Sequence, residues 1–254
     1  MSVTGKIAIV TGAAHGLGKA FCDILLKNGA KVGLIDLNID QGQKALSKLE
    51  EKYGKNKAMF VKCDVSNIKA MPESFQAIQK NFGGLDIVIN NAGVGLEKRD
   101  DWEKTVDVNV KGTIKGTILG MEMMRKDKGG KGGVIVNISS MAGLNPTPSG
   151  PVYAATKSAI IMYSRSWVHN PELAPNGIRI NILAPAFVDT PLFKMLENKE
   201  NIHAPAIATL VQKKVGVLKP EVVAEALLEL LADETKTGAI LKIAETTGKE
   251  YLTL

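Results

Sequence analysis

Residues 6 to 29 place the strongest constraint on the fold. Lys6-Ile7-Ala8-Ile9-Val10 is a short, apolar, β-rich run of the kind expected for a strand buried on both faces. A glycine-rich turn, Thr11-Gly12-Ala13-Ala14-His15-Gly16-Leu17-Gly18, follows at once. Lys19 to Asn28 then carries Ala20, Phe21, Ile24 and Leu25 at helical spacing before Gly29 stops the helix. Strand, glycine turn and helix in succession form a phosphate-binding arrangement. The glycines let the backbone bend tightly and approach a pyrophosphate, while free N–H groups and the positive end of the helix dipole face its charge. The spacing departs from G-x-G-x-x-G, so taken alone the turn reads equally well as purely structural.

The next strand, Lys31-Val32-Gly33-Leu34-Ile35, ends in Asp36, a little over twenty residues after Gly12. A carboxylate there can accept hydrogen bonds from the adenosine ribose hydroxyls of NAD and would repel the extra phosphate of NADP. Leu37 and Asn38 stand where a phosphate-reading cation would be useful, and His15 is mostly neutral at physiological pH. The alternative is that Asp36 only caps the helix starting at Ile39. Further along, Tyr153-Ala154-Ala155-Thr156-Lys157 places a phenol and an ammonium one helical turn apart, on one face. A fixed cation favours the phenolate of a tyrosine that normally titrates near ~10, so the pair can serve as a proton shuttle. The spacing alone also fits a packing tyrosine beside a solvated lysine.

Taken together, these residues resemble the short-chain dehydrogenase/reductases from end to end. The likeness covers the TGxxxGxG turn at residues 11 to 18, Asp64 after a strand at Ala58 to Cys63, and Asn90-Asn91-Ala92-Gly93 after a strand at Leu85 to Ile89. It continues through Asn109, Ser140 and the Tyr153/Lys157 pair. Within the family the chain is similar to the 15-hydroxyprostaglandin dehydrogenase branch, through Asn91-Ala92-Gly93-Val94 with Glu97-Lys98, Trp102-Glu103-Lys104-Thr105, Pro151-Val152-Tyr153 and Phe187-Val188. Insect alcohol-dehydrogenase-like members are near neighbours.

The resemblance implies that Tyr153 is the acid/base, that Lys157 depresses its pKa and holds the nicotinamide ribose, and that Ser140 orients the substrate oxygen. Asn109 would complete the tetrad by holding a water that connects Lys157 to solvent. Family spacing puts the serine thirteen positions before the tyrosine, which selects Ser140, with Ser139 the alternative. The implied cofactor surface comprises Gly12, Gly16, Leu17, Gly18, Asp36, Leu37, Cys63, Asp64, Val65, Asn91, Val188 and Thr190, together with Tyr153 and Lys157. Asp64 would meet the adenine amino group, and Val188 and Thr190 the carboxamide. On local grounds, Asp64 could simply open a turn with Ser66 and Asn67, and Asn90-Asn91 could close a strand. Four positions depart from the pattern. Ala186 replaces a frequent glycine, Gly150 stands where a glutamine contacts substrate, and Lys214-Val215 replaces a tyrosine pair.

At 254 residues and 45% hydrophobic, the chain can bury a large core. The expected fold is a single-domain Rossmann-type α/β three-layer sandwich with a seven-stranded parallel sheet. Later strands are placed at Gly133 to Ser139, Arg179 to Leu183 and Ala239 to Ile243, and helices at Asp101 to Lys126, Val152 to His169 and Pro220 to Ala232. Arg125 to Gly132 reads as a solvated loop. It lacks the aromatics of a nucleic-acid surface, and none is expected as a partner. The net charge of +6 is spread along the chain. Cys22 and Cys63 fall in apolar stretches, as buried thiols in a reducing compartment do. With no leader, no apolar run of membrane length and no peroxisomal ending at Tyr251-Leu252-Thr253-Leu254, the expected location is cytoplasmic. His15, His169 and His203 lack metal-ligand spacing, and no metal is predicted.

The segment from about 190 to 217 would cover the crevice as a substrate lid. Its Phe193, Met195, Leu196, Ile202, Ile207, Leu210 and Val211 point to a lipophilic alcohol or ketone, or else only anchor two short helices. Ile114, Ile118, Met121, Met123 and Met124, with Ile161, Met162, Tyr163 and Trp167, exceed one sheet-facing stripe and imply a homodimer. The alternative is a core stripe filled with adaptable methionines. The leading function is an NAD-dependent dehydrogenase of a lipophilic secondary alcohol. A dinucleotide-binding protein without turnover and an adenosyl-cofactor methyltransferase are the other classes, and the latter gives Tyr153 and Lys157 no role.

Overall fold

The computed structural model describes residues 2–95, 97, 101–197 and 201–252. β1 (Ile7–Thr11), β2 (Lys31–Asp36), β3 (Ala58–Lys62), β4 (Ile87–Asn90), β5 (Gly133–Ile138), β6 (Ile178–Pro185) and β9 (Ile240–Ala244) pair in parallel. β10 (Gly248–Leu252) adds an antiparallel edge to β9, giving the order β10-β9-β6-β5-β4-β1-β2-β3. The seven expected parallel strands are therefore present, and the sheet has eight. A two-stranded parallel ribbon of β7 (Phe187–Val188) and β8 (Val217–Leu218) stands apart.

The inner strands bury side chains on both faces, which explains their unbroken apolar runs. Ala8 and Val10 enter one core with Phe21, Leu25 and Leu227, whereas Ile9 enters the other with Phe75, Val88 and Ile135. The first face carries α1 (Gly16–Lys27), α2 (Ile39–Tyr53) and α9 (Pro220–Ala232). The second carries α3 (Met71–Phe82), α5 (Thr113–Met124) and α6 (Pro151–Val168). α1 ends as its sequence directs, with Gly29 left-handed at φ +84 just beyond the Asn28 cap. α2 is capped by Asn38, whose side chain accepts from the Gln41 amide at 3.0 Å. Asp36 is thus released from the capping duty that was its alternative reading.

The helix expected from Asp101 to Lys126 is interrupted. α4 (Trp102–Val106) runs into a π-helical turn, Asp107–Gly112, before α5 begins. α7 (Pro191–Glu197) and α8 (Pro205–Val215) lie between β7 and β8. The Arg125 to Gly132 stretch is largely exposed, as a solvated loop is, and contains a short 3₁₀ turn with a bidentate Arg125–Asp127 pair at 2.6 Å. Cys22 and Cys63 are buried free thiols. Among the described residues, no helix is long and apolar enough to cross a membrane.

Candidate active site

The strand order reverses between β1 and β4, the switch point at which sheets of this kind form a crevice beyond the carboxyl ends of their strands. One hydrogen-bonded set holds its two sides together. The buried Thr11 hydroxyl accepts from the amides of Asn91 and Ala92 at 3.0 and 3.1 Å, while Asn91 Nδ2 donates to the carbonyls of Thr11 and Gly12 at 2.9 and 3.1 Å. The glycine turn fits into this frame because it lacks side chains. Gly12 sits at φ +63, and a Cβ there would lie 2.8 Å from Ala92 Cα. At Gly18 a Cβ would fall 2.0 Å from the Gly12 carbonyl oxygen. The first-turn amides of α1, at Gly16, Leu17 and Gly18, have no carbonyl four residues back inside the helix, so they are available to an anion.

Asp36 closes the second strand at 8% exposure. Its two oxygens accept from the amides of Ala14 at 2.9 Å and Asn38 at 3.0 Å, and each retains a further acceptor site. The carboxylate therefore both fastens the glycine turn to β2 and can still receive hydroxyls. Asp64 makes the turn that its neighbours allow, accepting from the Ser66 amide at 2.9 Å and hydroxyl at 2.7 Å through one oxygen. Cys63 and Val65 on either side are buried, whereas Leu37 is 50% exposed. Val188 is buried through its pairing with Leu218, and Thr190 stands beside Gly16, whose added Cβ would lie 3.3 Å from its side chain. Ala186 needs no glycine conformation. Among the described residues only Asn56 and Ala204 have positive φ outside glycine, and the Ala186 amide donates to Ile243 at 2.8 Å.

The chemical side of the crevice is built on α6. Lys157 is buried, and its ammonium donates to the Ile138 carbonyl at 2.9 Å and lies 5.5 Å from the Tyr153 ring centroid. Gly93 faces it, where a Cβ would stand 3.4 Å from Nζ and 3.3 Å from Asn109 Oδ1. The two serines separate cleanly. Ser139 is buried with its hydroxyl on the Lys157 carbonyl at 2.8 Å, whereas Ser140 is half-buried and close enough for its hydroxyl to act on the Tyr153 phenol. Ser140 is thus the serine at the tyrosine. Asn109 lies in the π-helical turn, fully buried. It exchanges hydrogen bonds with the Val94 backbone at 2.8 and 2.9 Å and donates to Thr156 Oγ1 at 3.1 Å.

One expectation is reversed. Burial pushes the Tyr153 phenol up to about 12, opposed by the Ser140 hydroxyl, and pushes Lys157 down to about 8. Lysine therefore gives up its proton before tyrosine. Desolvation disfavours both charged forms and outweighs their mutual attraction.

Two groups at the site take roles that the sequence did not assign them. Thr11, which latches the two sides of the crevice, looks like an ordinary strand-ending threonine. Glu97 is buried, and its carboxylate accepts from the amides of Val152 at 3.0 Å and Tyr153 at 2.6 Å, at the start of α6. The one local signal was Gly150, a helix-preceding position with no side chain to cap α6.

A doubly wound α/β domain with a glycine turn at its switch point and a Tyr/Lys/Ser cluster across the crevice defines a dinucleotide-binding oxidoreductase architecture. Comparison with known proteins narrows this. A family model described as short chain dehydrogenase matches residues 6–201. The chain is 43% identical over 255 residues to the 15-hydroxyprostaglandin dehydrogenase (NAD(+)) of Mus musculus, covering 99% of this chain and 94% of that protein. It is 40% identical over 256 residues to the protein of the same name from Homo sapiens, covering 99% and 95%. Among solved structures, a 3-ketoacyl-(acyl-carrier-protein) reductase from Brucella melitensis complexed with NADH superposes with a TM-score of 0.81 at 27% identity, covering 95% of this chain and 98% of that one. The chain belongs to the short-chain dehydrogenase family.

Proposed function

We propose that the protein is an NAD-dependent dehydrogenase that interconverts a lipophilic secondary alcohol and its ketone, with Tyr153 as acid/base. The observation that carries this reading is the convergence of Tyr153, Lys157 and Ser140 beside the Asn91–Gly93 segment that is latched to the glycine turn. The residues fit a dinucleotide. Gly12 and Gly18 let the turn close against Ala92, Asn91 and its own carbonyl, α1 offers free amides for a pyrophosphate, and Asp36 keeps acceptor sites for the adenosine ribose. Gly16, Leu17, Leu37, Cys63, Asp64, Val65, Asn91, Val188 and Thr190 would complete its bed. The bound nicotinamide supplies the hydride acceptor or donor and, when oxidised, a positive ring.

The chain's own part is placement and proton movement. Ser140 would hold the substrate oxygen against the Tyr153 hydroxyl. In reduction the neutral phenol, protonated throughout the physiological range, donates to the developing alkoxide. In oxidation Tyr153 must accept that proton, which requires positive charge nearby. Lys157, whose ammonium lies 5.5 Å from the Tyr153 ring centroid, would supply part of that charge. Asn109, pinned in the π-turn, would hold the water that refills Lys157.

α7 and α8 would form the lid. Phe193 of α7 packs on Phe187 at 5.6 Å and Ile202 is buried, which fixes the lid to the body, while Ile207, Leu210 and Val211 of α8 stay exposed. Leu196 of this apolar set lies outside the residues whose side chains are described. The homodimer reading rests on a smaller surface than the sequence implied. Met121, Met124 and Ile161 are core, and Ile118 and Met162 remain exposed on α5 and α6. NADH formation across a 15-hydroxyprostaglandin, a steroid alcohol, a retinol and a short alkanol tests the proposal. Turnover of a lipophilic alcohol with NAD and little with NADP supports it, and cofactor binding without turnover of any alcohol overturns it.

A further inference from the structure

We infer that Glu97 is a positioning residue for Tyr153, acting as a cap on α6 supplied from a remote part of the chain; this rests on the reading of Tyr153 as acid/base. The first turn of a helix leaves amides without partners, and a side-chain oxygen at the residue before it normally accepts from the second or third. In α6 that residue is Gly150, which has no side chain, and the first position is Pro151, which has no N–H. The second and third amides are those of Val152 and Tyr153. Both go to the two oxygens of Glu97, fifty-five and fifty-six residues earlier, at 3.0 and 2.6 Å.

The arrangement depends on Gly150. A Cβ there would lie 3.2 Å from Glu97 Oε1 and 3.6 Å from Tyr153 Cβ, so a longer side chain at 150 would press on the carboxylate. The position that departs from the prostaglandin-branch pattern is therefore the one that admits the remote cap. Negative charge suits this end of a helix, and charge-assisted bonds to amides are short and directional. The same turn is held from its other side, where Thr156 Oγ1 donates to the Tyr153 carbonyl at 2.7 Å and accepts from Asn109. Tyr153 is thus fixed at its own amide by Glu97 and at its own carbonyl through the Asn109 set. A reacting hydroxyl displaced by a fraction of an ångström loses rate without losing cofactor.

The test compares the full chain with Glu97→Ala, Glu97→Gln, Glu97→Ala/Gly150→Ser and Tyr153→Phe, using NAD and a 15-hydroxyprostaglandin, with amide hydrogen exchange over residues 150–157 alongside. Glu97→Ala is expected to lower kcat about tenfold or more, with KM for NAD within twofold, and to speed exchange at Val152 and Tyr153. Glu97→Gln, with one acceptor oxygen left, should fall between. A serine at 150 offers the same two amides a local acceptor, so the double variant should recover most of both losses. Exchange unchanged in Glu97→Ala, kcat within twofold of the parent, or a kcat loss that neither Gln nor Gly150→Ser relieves would each overturn the inference. Turnover surviving in Tyr153→Phe would instead remove the acid/base reading. Inactive Tyr153→Phe beside fully active Glu97→Ala would remove the positioning role alone.

Discussion

Lys157 should weaken the fold it serves, and replacing it with methionine should show by how much. Burial lowers this lysine from the ordinary 10.5 to about 8. At about 1.4 kcal/mol per pH unit, keeping the ammonium inside costs roughly 3 kcal/mol near neutrality. Methionine is of similar length and has no charge, but it gives up the hydrogen bond to Ile138, worth about 1 kcal/mol. Lys157→Met should therefore be more stable at pH 7 by about 2 kcal/mol, or roughly 4–8 °C for a domain of this size. The pH dependence is set by the direction of the shift. Below about 8 both folded and unfolded chains carry the proton and the penalty is full. As pH rises towards 10.5 the unfolded chain holds the proton that the folded chain has released, so the parent gains stability and the variant does not. Tyr153, whose raised pKa makes the fold lose stability above its ordinary value near ~10, is common to both proteins and cancels. Urea unfolding of both proteins without added cofactor, at pH 7 and near pH ~10, reads the difference. The advantage of Lys157→Met should close by the higher pH. A variant less stable than the parent at pH 7, or an advantage independent of pH, would refute the burial argument.

Other changes test the crevice. Gly18→Ala sets a methyl against the Gly12 carbonyl and Asn91 Nδ2, so it should cost about 1–3 kcal/mol in urea unfolding and abolish NAD binding by calorimetry. Asp36→Ala with Leu37→Arg removes the carboxylate and adds a phosphate-reading cation, and the ratio of kcat/KM for NADP over NAD should rise at least about tenfold. An unchanged ratio would place cofactor choice elsewhere.

The residues legible in sequence were those whose meaning is local. The glycine turn, Asp36 at a strand end and the one-turn spacing of Tyr153 and Lys157 are short-range patterns, and α9 began and ended where Pro220 and Ala232 place it. β10 was missed because Gly248-Lys249-Glu250-Tyr251-Leu252 is an exposed edge, too polar to read as strand until β9 is beside it. α3 went unplaced although Pro72 opens it and Gly83 closes it at φ +86. The π-turn at Asn109 leaves no mark in an apolar helical pattern. Asp64 and Asn91 act as a turn residue and a latch, the modest reading of each. The Tyr153 shift was misread because sequence gives the spacing of charges but not their burial, and burial dominates here. Glu97 was hidden because its partners lie more than fifty residues away.

The central claim is that Tyr153 moves the proton while hydride passes from carbinol carbon to cofactor. The most direct measurement is deuterium transfer from a carbinol-deuterated lipophilic secondary alcohol into NADH, by the parent and by Tyr153→Phe, with NAD affinity measured for both. Transfer by the parent is expected, with a fall of about 10²–10⁴-fold in the variant and NAD affinity little changed. Transfer at the parental rate by Tyr153→Phe would contradict it.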